Sequence, residues 1–178
     1  GQFGGEILVV EEGGVRPFVA GFTAPMGLAW RGDELFVASR NSISIVRADK
    51  TIQPIITTLP AARHQTDSIV FGRDGRLYIA QGSRSDHGEG GIDPMEATVL
   101  VANAEGSGLR VFAKGLRNPF GLALHPASGE LFATDNGGDV PGEGVPDELN
   151  VVMDGGSYGW PDCYGAGQGT NCAGTIAP

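Results

Sequence analysis

The chain has 178 residues, including 30 glycines and 11 prolines, and its formal net charge at pH 7 is −9. Hydrophobic residues make up 40% of the chain, which distinguishes it from disordered or collagen-like sequences despite the high share of glycine. Lysine and arginine do not cluster, so the basic footprint of a nucleic-acid-binding protein is missing, and no apolar run is long enough to span a membrane.

The alternation of apolar stretches with glycine turns predicts an all-β fold of many short strands, without long helices. A first pair of strands is expected at 6–11 and 15–19. Blade-like repeats follow near residues 20–60, 61–113 and 114–154, and a glycine-rich loop occupies residues 155–178. We therefore expect residues 1–178 to form one domain of repeated sheets.

The repeats share a pattern of an apolar strand, a polar turn containing glycine, and a second strand in which a bulky residue precedes a small one. The matching segments are 25–38, 66–80 and 119–134. Phe36, Tyr78 and Phe132 occupy one repeat position and are expected in the core. A repeat of roughly 40–50 residues with about four strands is typical of β-propeller blades, which usually number four to eight. The sequence therefore predicts about three blades and the start of a fourth.

The two cysteines, Cys163 and Cys172, lie nine positions apart in the glycine-rich loop. Two thiols without a nearby histidine cannot form a four-ligand zinc site. A disulfide that closes this loop is the favoured interpretation, and it would indicate an oxidising compartment. The alternative is a pair of unpaired thiols in a cytosolic protein.

Six short motifs carry the most specific signal in the sequence. In chain order they are His64-Gln65, 69–78, 115–123, 133–139, 146–150 and 155–161. In combination they resemble the glucose/sorbosone dehydrogenase family, whose members are soluble six-bladed β-propellers that use pyrroloquinoline quinone (PQQ) and calcium. The resemblance runs from about residue 20 to the end of the chain. Family members are roughly twice as long, with six blades, so the chain would hold about the first half of such a propeller.

The resemblance assigns roles to individual residues around the expected channel. His64 matches the general base, which takes the proton of a sugar's anomeric hydroxyl while hydride passes from C1 to the quinone, and imidazole suits this role because its usual pKa is near neutrality. Gln65 would contact the substrate, and Arg117 with Asn118 would bind the quinone's carboxylates and carbonyls. Arg63 departs from the family, in which an acid or another histidine often precedes the base. Without the resemblance, His64 would be interpreted as a turn histidine and the Arg-Asn pair as a turn cap.

Acidic residues concentrate between residues 135 and 154. Calcium binds carboxylate and backbone carbonyl oxygens, and glycine-rich loops allow carbonyls to converge. The resemblance implies that the carbonyls of Gly137 and Gly138 hold a calcium ion that bridges to the quinone. It also matches the Glu148 carboxylate and the Tyr158 carbonyl to a second, structural calcium site. The alternative is a solvated acidic loop, since the spacing is not that of an EF-hand.

These features predict part of a periplasmic or secreted quinoprotein dehydrogenase that oxidises an aldose sugar at C1 and reduces an external electron acceptor. PQQ and Ca²⁺ are the implied cofactors. An open ring exposes two blade faces, so a partner is expected, either the second half of the propeller or another copy of the chain. The alternatives are a calcium-stabilised propeller that binds carbohydrate or a protein without catalysis, and a lactonase-like propeller that uses calcium as a Lewis acid.

Overall fold

The computed structural model describes residues 4–139 and 144–178, which form short β-strands and no helix. In chain order the strands are β1 (Gly4–Glu11), β2 (Gly14–Thr23), β3 (Gly27–Arg31), β4 (Glu34–Ser39), β5 (Ser42–Val46), β6 (Ile52–Ile56), β7 (Thr66–Phe71), β8 (Leu77–Gln81), β9 (Thr98–Ala102), β10 (Arg110–Lys114), β11 (Pro119–Leu124), β12 (Leu131–Asp135), β13 (Glu148–Val152), β14 (Cys163–Tyr164) and β15 (Gln168–Gly169). A search of these residues for a long apolar helix able to cross a membrane finds none.

The strands form antiparallel sheets, and within each sheet a strand pairs with the next one along the chain. Strands β3–β6 and β7–β10 form two four-stranded sheets, β11–β13 form a three-stranded sheet, and β1–β2 and β14–β15 form two-stranded ribbons. Stacked meanders of about four strands are the blades of a propeller. The prediction of an all-β, partial propeller is therefore confirmed. The first strand pair is longer than expected, because β2 continues to Thr23.

Glycines in the turns serve two different purposes. Gly75, between β7 and β8, has a φ of +75°, a left-handed conformation that glycine adopts without strain. The Asp74 carboxylate accepts a hydrogen bond from the backbone N–H of Arg76 at 3.0 Å and stabilises this turn. Gly106, between β9 and β10, permits a close approach, because a Cβ atom there would lie 2.5 Å from the carbonyl oxygen of Ile55 in the neighbouring sheet.

Apolar side chains fill three layers between successive sheets. The layer between β1–β2 and the β3–β6 sheet contains Ile7, Val19, Phe22, Leu35, Val37 and Val46. The layer between the two four-stranded sheets contains Phe36, Ile43, Ile69, Leu77, Ile79 and Leu100. The layer between β7–β10 and β11–β13 contains Tyr78, Val99, Val101, Leu116, Leu131 and Ala133. Strands β8 and β9 are buried along their whole length because their alternating side chains enter two layers.

The last sheet leaves one face uncovered within the described residues. Phe132 pairs with Val151, and Thr134 pairs with Leu149, on the face opposite the third apolar layer. Leu149 is 60% exposed and Val151 is 39% exposed. Phe132 was expected in the core but is only partly buried, because no described sheet packs against it. The open face predicted for a partial ring is therefore present.

A leucine-to-alanine substitution should destabilise the fold much more in an apolar layer than on the open face. We expect Leu100→Ala to lower the free energy of unfolding by about 2–5 kcal/mol, because Leu100 is fully buried and its loss leaves a cavity. Leu149→Ala is the matched control and should cost no more than about 0.5 kcal/mol in the 178-residue chain. Urea unfolding followed by circular dichroism measures both values. Equal losses would contradict the assignment of layer and open face.

Candidate functional site

Four loops meet at one end of the two neighbouring sheets. Residues 57–65 lead into β7, residues 82–97 follow β8, residues 115–118 lead into β11, and residues 136–139 follow β12. Strands β7 and β11 are in contact, so these loops converge at the inner edge of the blades. They include the predicted base and the predicted Arg-Asn pair.

A short backbone ladder connects His64 to Arg117. The backbone N–H of His64 donates to the carbonyl oxygen of Ser83 at 3.1 Å, and the N–H of Ser83 donates to the carbonyl oxygen of Arg117 at 2.9 Å. Gly82 lies between the side chains of His64 and Asn118. A Cβ atom on Gly82 would lie 2.5 Å from the Cβ of His64 and 2.7 Å from Oδ1 of Asn118. These two predicted site residues can therefore approach each other here because residue 82 has no side chain.

His64 lies beside a carboxylate in surroundings that favour the neutral imidazole. Its side chain is 11% exposed, and Nε2 lies 3.3 Å from Oδ1 of Asp86. Burial and the nearby charge of Arg117 lower the pKa of His64 below its ordinary value, and the opposing effect of Asp86 is smaller. The tautomer in which Nε2 donates to Asp86 leaves Nδ1 with a free lone pair. A neutral imidazole with one free nitrogen can accept a proton.

Asp135 holds the backbone of the Arg117-Asn118 pair. Its Oδ2 accepts the N–H of Arg117 at 2.9 Å, and its Oδ1 accepts the N–H of Asn118 at 2.6 Å. Burial is the main cause that raises the pKa of Asp135 to about 7, and the charge of Glu148 adds to it. Asn118 is 8% exposed, and Oδ1 of its amide has no hydrogen-bond partner among the described residues.

The Arg117 guanidinium is almost completely buried, and its side chain is 5% exposed. Nη1 donates to the carbonyl oxygens of Asn136, at 3.1 Å, and Gly137. Nη2 donates to the carboxylates of Asp86 and Asp139, the latter at 3.1 Å. Nε has no partner in the part of the chain that the structure describes.

Neither Asp86 nor Asp139 had a predicted role in the site, and no contact was predicted for Arg63. Arg63 contacts both carboxylates, with Nε 2.7 Å from Oδ1 of Asp86 and Nη2 3.0 Å from Oδ2 of Asp139. Single ligand atoms of His64, Asp86 and Asp139 lie within 4.8 Å of one another, a spacing that would suit a metal ion. The charges of Arg63 and Arg117 already balance these two carboxylates, so the cluster is an ion-pair network. A signal for Asp86 was available, because it follows β8 closely at the end where the His64 loop enters β7.

The expected calcium ligands line one cavity next to Arg117. Gly137, Gly138, Glu148 and Tyr158 lie on its wall, together with Asp135. A Cβ atom on Gly137 would lie 2.5 Å and 2.4 Å from the carbonyl oxygens of the loop residues 145 and 146, so backbone carbonyls crowd this glycine. The cavity wall thus combines three carboxylates, those of Asp86, Asp135 and Glu148, with backbone oxygens and the Arg117 guanidinium.

The glycine-rich loop is closed by a disulfide and supports Asp86. Cys163 and Cys172 are joined with their Cα atoms 5.2 Å apart, which confirms the predicted pairing. Trp160, which precedes the disulfide, donates from its backbone N–H to the carbonyl oxygen of Gly115 at 2.9 Å. Its indole N–H donates to the carbonyl oxygen of Asp86 at 3.0 Å. Trp160 therefore links the Asp86 loop to the segment that leads into β11.

Comparisons with known proteins extend these findings. The family model described as Glucose / Sorbosone dehydrogenase matches residues 35–175. The chain is 27% identical over 135 residues to aldose sugar dehydrogenase YliI of Escherichia coli K12, an alignment that covers 68% of the chain and 35% of the relative. It is 38% identical over 146 residues to quinoprotein glucose dehydrogenase B of Acinetobacter calcoaceticus, over 62% of the chain and 29% of the relative. The chain thus spans about a third of the length of these two relatives.

A solved structure has the same fold. The apo form of the soluble aldose sugar dehydrogenase of Escherichia coli superposes with a TM-score of 0.78 at 19% identity, and covers 99% of this chain and 65% of the solved chain. At this identity the superposition establishes the fold alone.

Asp67, on β7, predicts a pH dependence of stability. Its carboxyl is 4% exposed, and burial raises its pKa to about 7. Between about pH 4 and pH 7 the unfolded chain loses this proton while the folded chain keeps it, so the free energy of unfolding falls as the pH rises. Asp67→Asn removes this titration and should be more stable than the parent above pH 7, by roughly 2–4 kcal/mol.

Urea unfolding at pH 4, 5.5 and 8 measures this difference, which should be near zero at pH 4 and largest at pH 8. Asp33→Asn, at an exposed turn, is the control and should leave the pH dependence unchanged. A pH dependence that is identical in Asp67→Asn and the parent would refute the assignment.

Proposed function

The chain belongs to the glucose/sorbosone dehydrogenase family, and on this premise we propose that it supplies the general base and part of the cofactor site of a PQQ-dependent aldose dehydrogenase. The observation that carries the proposal is the position of His64, whose Nε2 lies 3.3 Å from Oδ1 of Asp86 and whose side chain adjoins Asn118 across Gly82. This combines a proton acceptor with polar groups for an anionic cofactor at one end of two blades. Fold alone would not distinguish this activity from other propeller functions.

The proposed reaction needs a base that is neutral before the reaction and tolerates a charge after it. Nδ1 of His64 would take the proton of the anomeric hydroxyl as the C1 hydrogen leaves with its electron pair. The resulting imidazolium would be stabilised by Asp86, which already accepts the Nε2 proton. PQQ, when bound, supplies the acceptor for the hydride. Gln65 follows His64 in the chain, and its backbone carbonyl oxygen accepts the N–H of Gly82 at 3.0 Å. We assign the Gln65 side chain to the sugar.

The residues assigned to the quinone fit such a ligand. Nε of Arg117 and Oδ1 of Asn118 are buried polar atoms without partners among the described residues, and buried polar groups normally have partners. A planar guanidinium matches the carboxylates of a quinone cofactor, and an amide can pair with its carbonyls. We therefore assign these two residues to quinone binding.

The acidic cavity fits calcium. Calcium prefers carboxylate and carbonyl oxygens, and the cavity wall presents both types. We assign the carbonyls of Gly137 and Gly138 to an ion at the quinone and Glu148 with the carbonyl of Tyr158 to a structural ion. Because the Gly137 oxygen accepts a hydrogen bond from Nη1 of Arg117 in this structure, the first ion would replace that contact. A bound calcium ion would offset the repulsion of Asp135 and Glu148, which contributes to the raised pKa of Asp135.

The partner and the compartment are further parts of the proposal. The exposed Leu149 and Val151 lie on an apolar sheet face of the kind that another blade covers, from further polypeptide or from a second copy. The Cys163–Cys172 disulfide favours an oxidising compartment, the periplasm or the exterior.

Removal of the base tests the proposed function directly. With PQQ and calcium present, we expect the full-length protein to reduce a dye in an aldose-dependent reaction. His64→Asn should lower kcat about 10²–10⁴-fold while PQQ affinity changes little, because the substitution removes proton transfer and not the cofactor contacts. His125→Asn, in an exposed turn, is the control and should keep normal activity. Aldose-independent dye reduction, or an active His64→Asn variant, would contradict the proposal.

Calcium removal tests the assigned cation ligands. A ligand that binds only the folded state stabilises it by RT ln(1 + [L]/Kd), so a chelator should lower the Tm by several degrees. Glu148→Gln should lose most of this response, and Glu105→Gln, in an exposed turn, should keep it. Differential scanning fluorimetry with and without chelator gives one Tm shift for each of the three proteins. A Tm that is insensitive to chelation would identify the acidic stretch as a solvated loop.

A further inference from the structure

Arg63 and Arg117 converge on a single carboxylate oxygen. Nη2 of Arg63 lies 3.0 Å from Oδ2 of Asp139, and Nη2 of Arg117 lies 3.1 Å from the same atom. Two guanidinium groups that point at one oxygen form an anion site of the type that binds carboxylates. The site adjoins the base, because Arg63 immediately precedes His64 in the chain.

One side of this site is rigid. The Arg117 side chain is 5% exposed, and Nη1 is held by the carbonyl oxygens of Asn136 and Gly137. Asp86 is 14% exposed and contacts both guanidiniums and His64. Arg117 and Asp86 therefore each have contacts that do not involve Asp139.

Asp139 is the replaceable member of the network. Its side chain is 54% exposed, and among the described side chains its carboxylate contacts only the two guanidiniums. Exposed ion pairs of this kind contribute little stability. The charges favour replacement of Asp139 by another anion. Arg63 and Arg117 together offset Asp86 and Asp139, so removal of Asp139 leaves one positive charge unbalanced.

We propose that Arg63 and Arg117 form a carboxylate-binding site beside His64, that Asp139 occupies it in the free protein, and that a ligand carboxylate replaces Asp139. The identity of the ligand rests on the proposed function: it is a sugar that carries a carboxylate, such as a uronic acid, because binding of the quinone is already part of that function. Arg63 would then determine specificity, at the position where the sequence departs from the family.

The test compares the binding of three probes to the full-length protein by isothermal titration calorimetry: D-glucuronate, D-glucose and PQQ. Asp139→Asn removes the competing charge and should raise the affinity for a carboxylate probe roughly 3- to 10-fold. Arg63→Gln should lower that affinity by a similar factor, and Arg63→Lys should restore part of it. Arg110→Gln, which breaks an exposed pair with Asp154, is the matched control and should have no effect.

The probes separate a sugar carboxylate from the quinone. A glucuronate affinity that responds to the variants as expected supports the site. The inference is overturned if glucuronate binds all variants equally, if only PQQ responds, or if D-glucose, which is uncharged, responds in the same way. Asp139→Asn alters an exposed residue, and an unchanged Tm confirms that it folds.

Failure of the inference and failure of the proposed function give different results. If the protein oxidises D-glucose and the carboxylate affinities do not respond to the variants, the function stands and the site is wrong. If the affinities respond as expected and no aldose is oxidised, the site stands and the proposed function is wrong.

Discussion

The guanidinium of Arg117, buried between two blades, is the constraint on which the rest of the site depends. A buried charge is tolerated only when it is paired and hydrogen-bonded, and two neighbouring loops contribute oxygens to it. Asp86 comes from the loop after β8, and Asp139 with the carbonyls of Asn136 and Gly137 comes from the segment after β12. The same requirement makes Asp135 necessary, since it holds the backbone from which Arg117 projects.

The stacking of the sheets places these loops within reach of one another. Strand β7 contacts both β3 and β11, so its entry and exit loops adjoin those of the next blade. The apolar layers provide the energy for this arrangement through side chains such as Leu100 and Leu116, which are fully buried. The polar site thus forms at the end of a well-packed interface, where the strands diverge into loops and backbone groups become available for side chains and ligands.

Local patterns predicted the strands because the alternation of apolar residues and the turn glycines act over short distances. The spacing of the cysteines also predicted the disulfide in its loop, whereas His64, Arg117 and Asn118 were identified through the family resemblance. The contacts of Asp86 could not be predicted in the same way, because they join residues 22 and 31 positions apart through the packing of two sheets. Phe132 illustrates the opposite limit, since its repeat position predicts a core residue and only the number of stacked sheets decides its burial.

The geometry also links the proposed proton transfer to the charge of the network. Asp86 accepts from Arg63, Arg117 and His64 at once, so it can offset only part of the charge that appears when His64 is protonated. Asp139 provides the second negative charge and, despite its exposure, contributes to raising the pKa of His64. A ligand carboxylate in its place would keep that contribution close to the imidazole, whereas an empty site would leave two guanidiniums beside a developing imidazolium. On the proposed function, His64 would therefore be best matched to its task as a base when an anion occupies the site between Arg63 and Arg117.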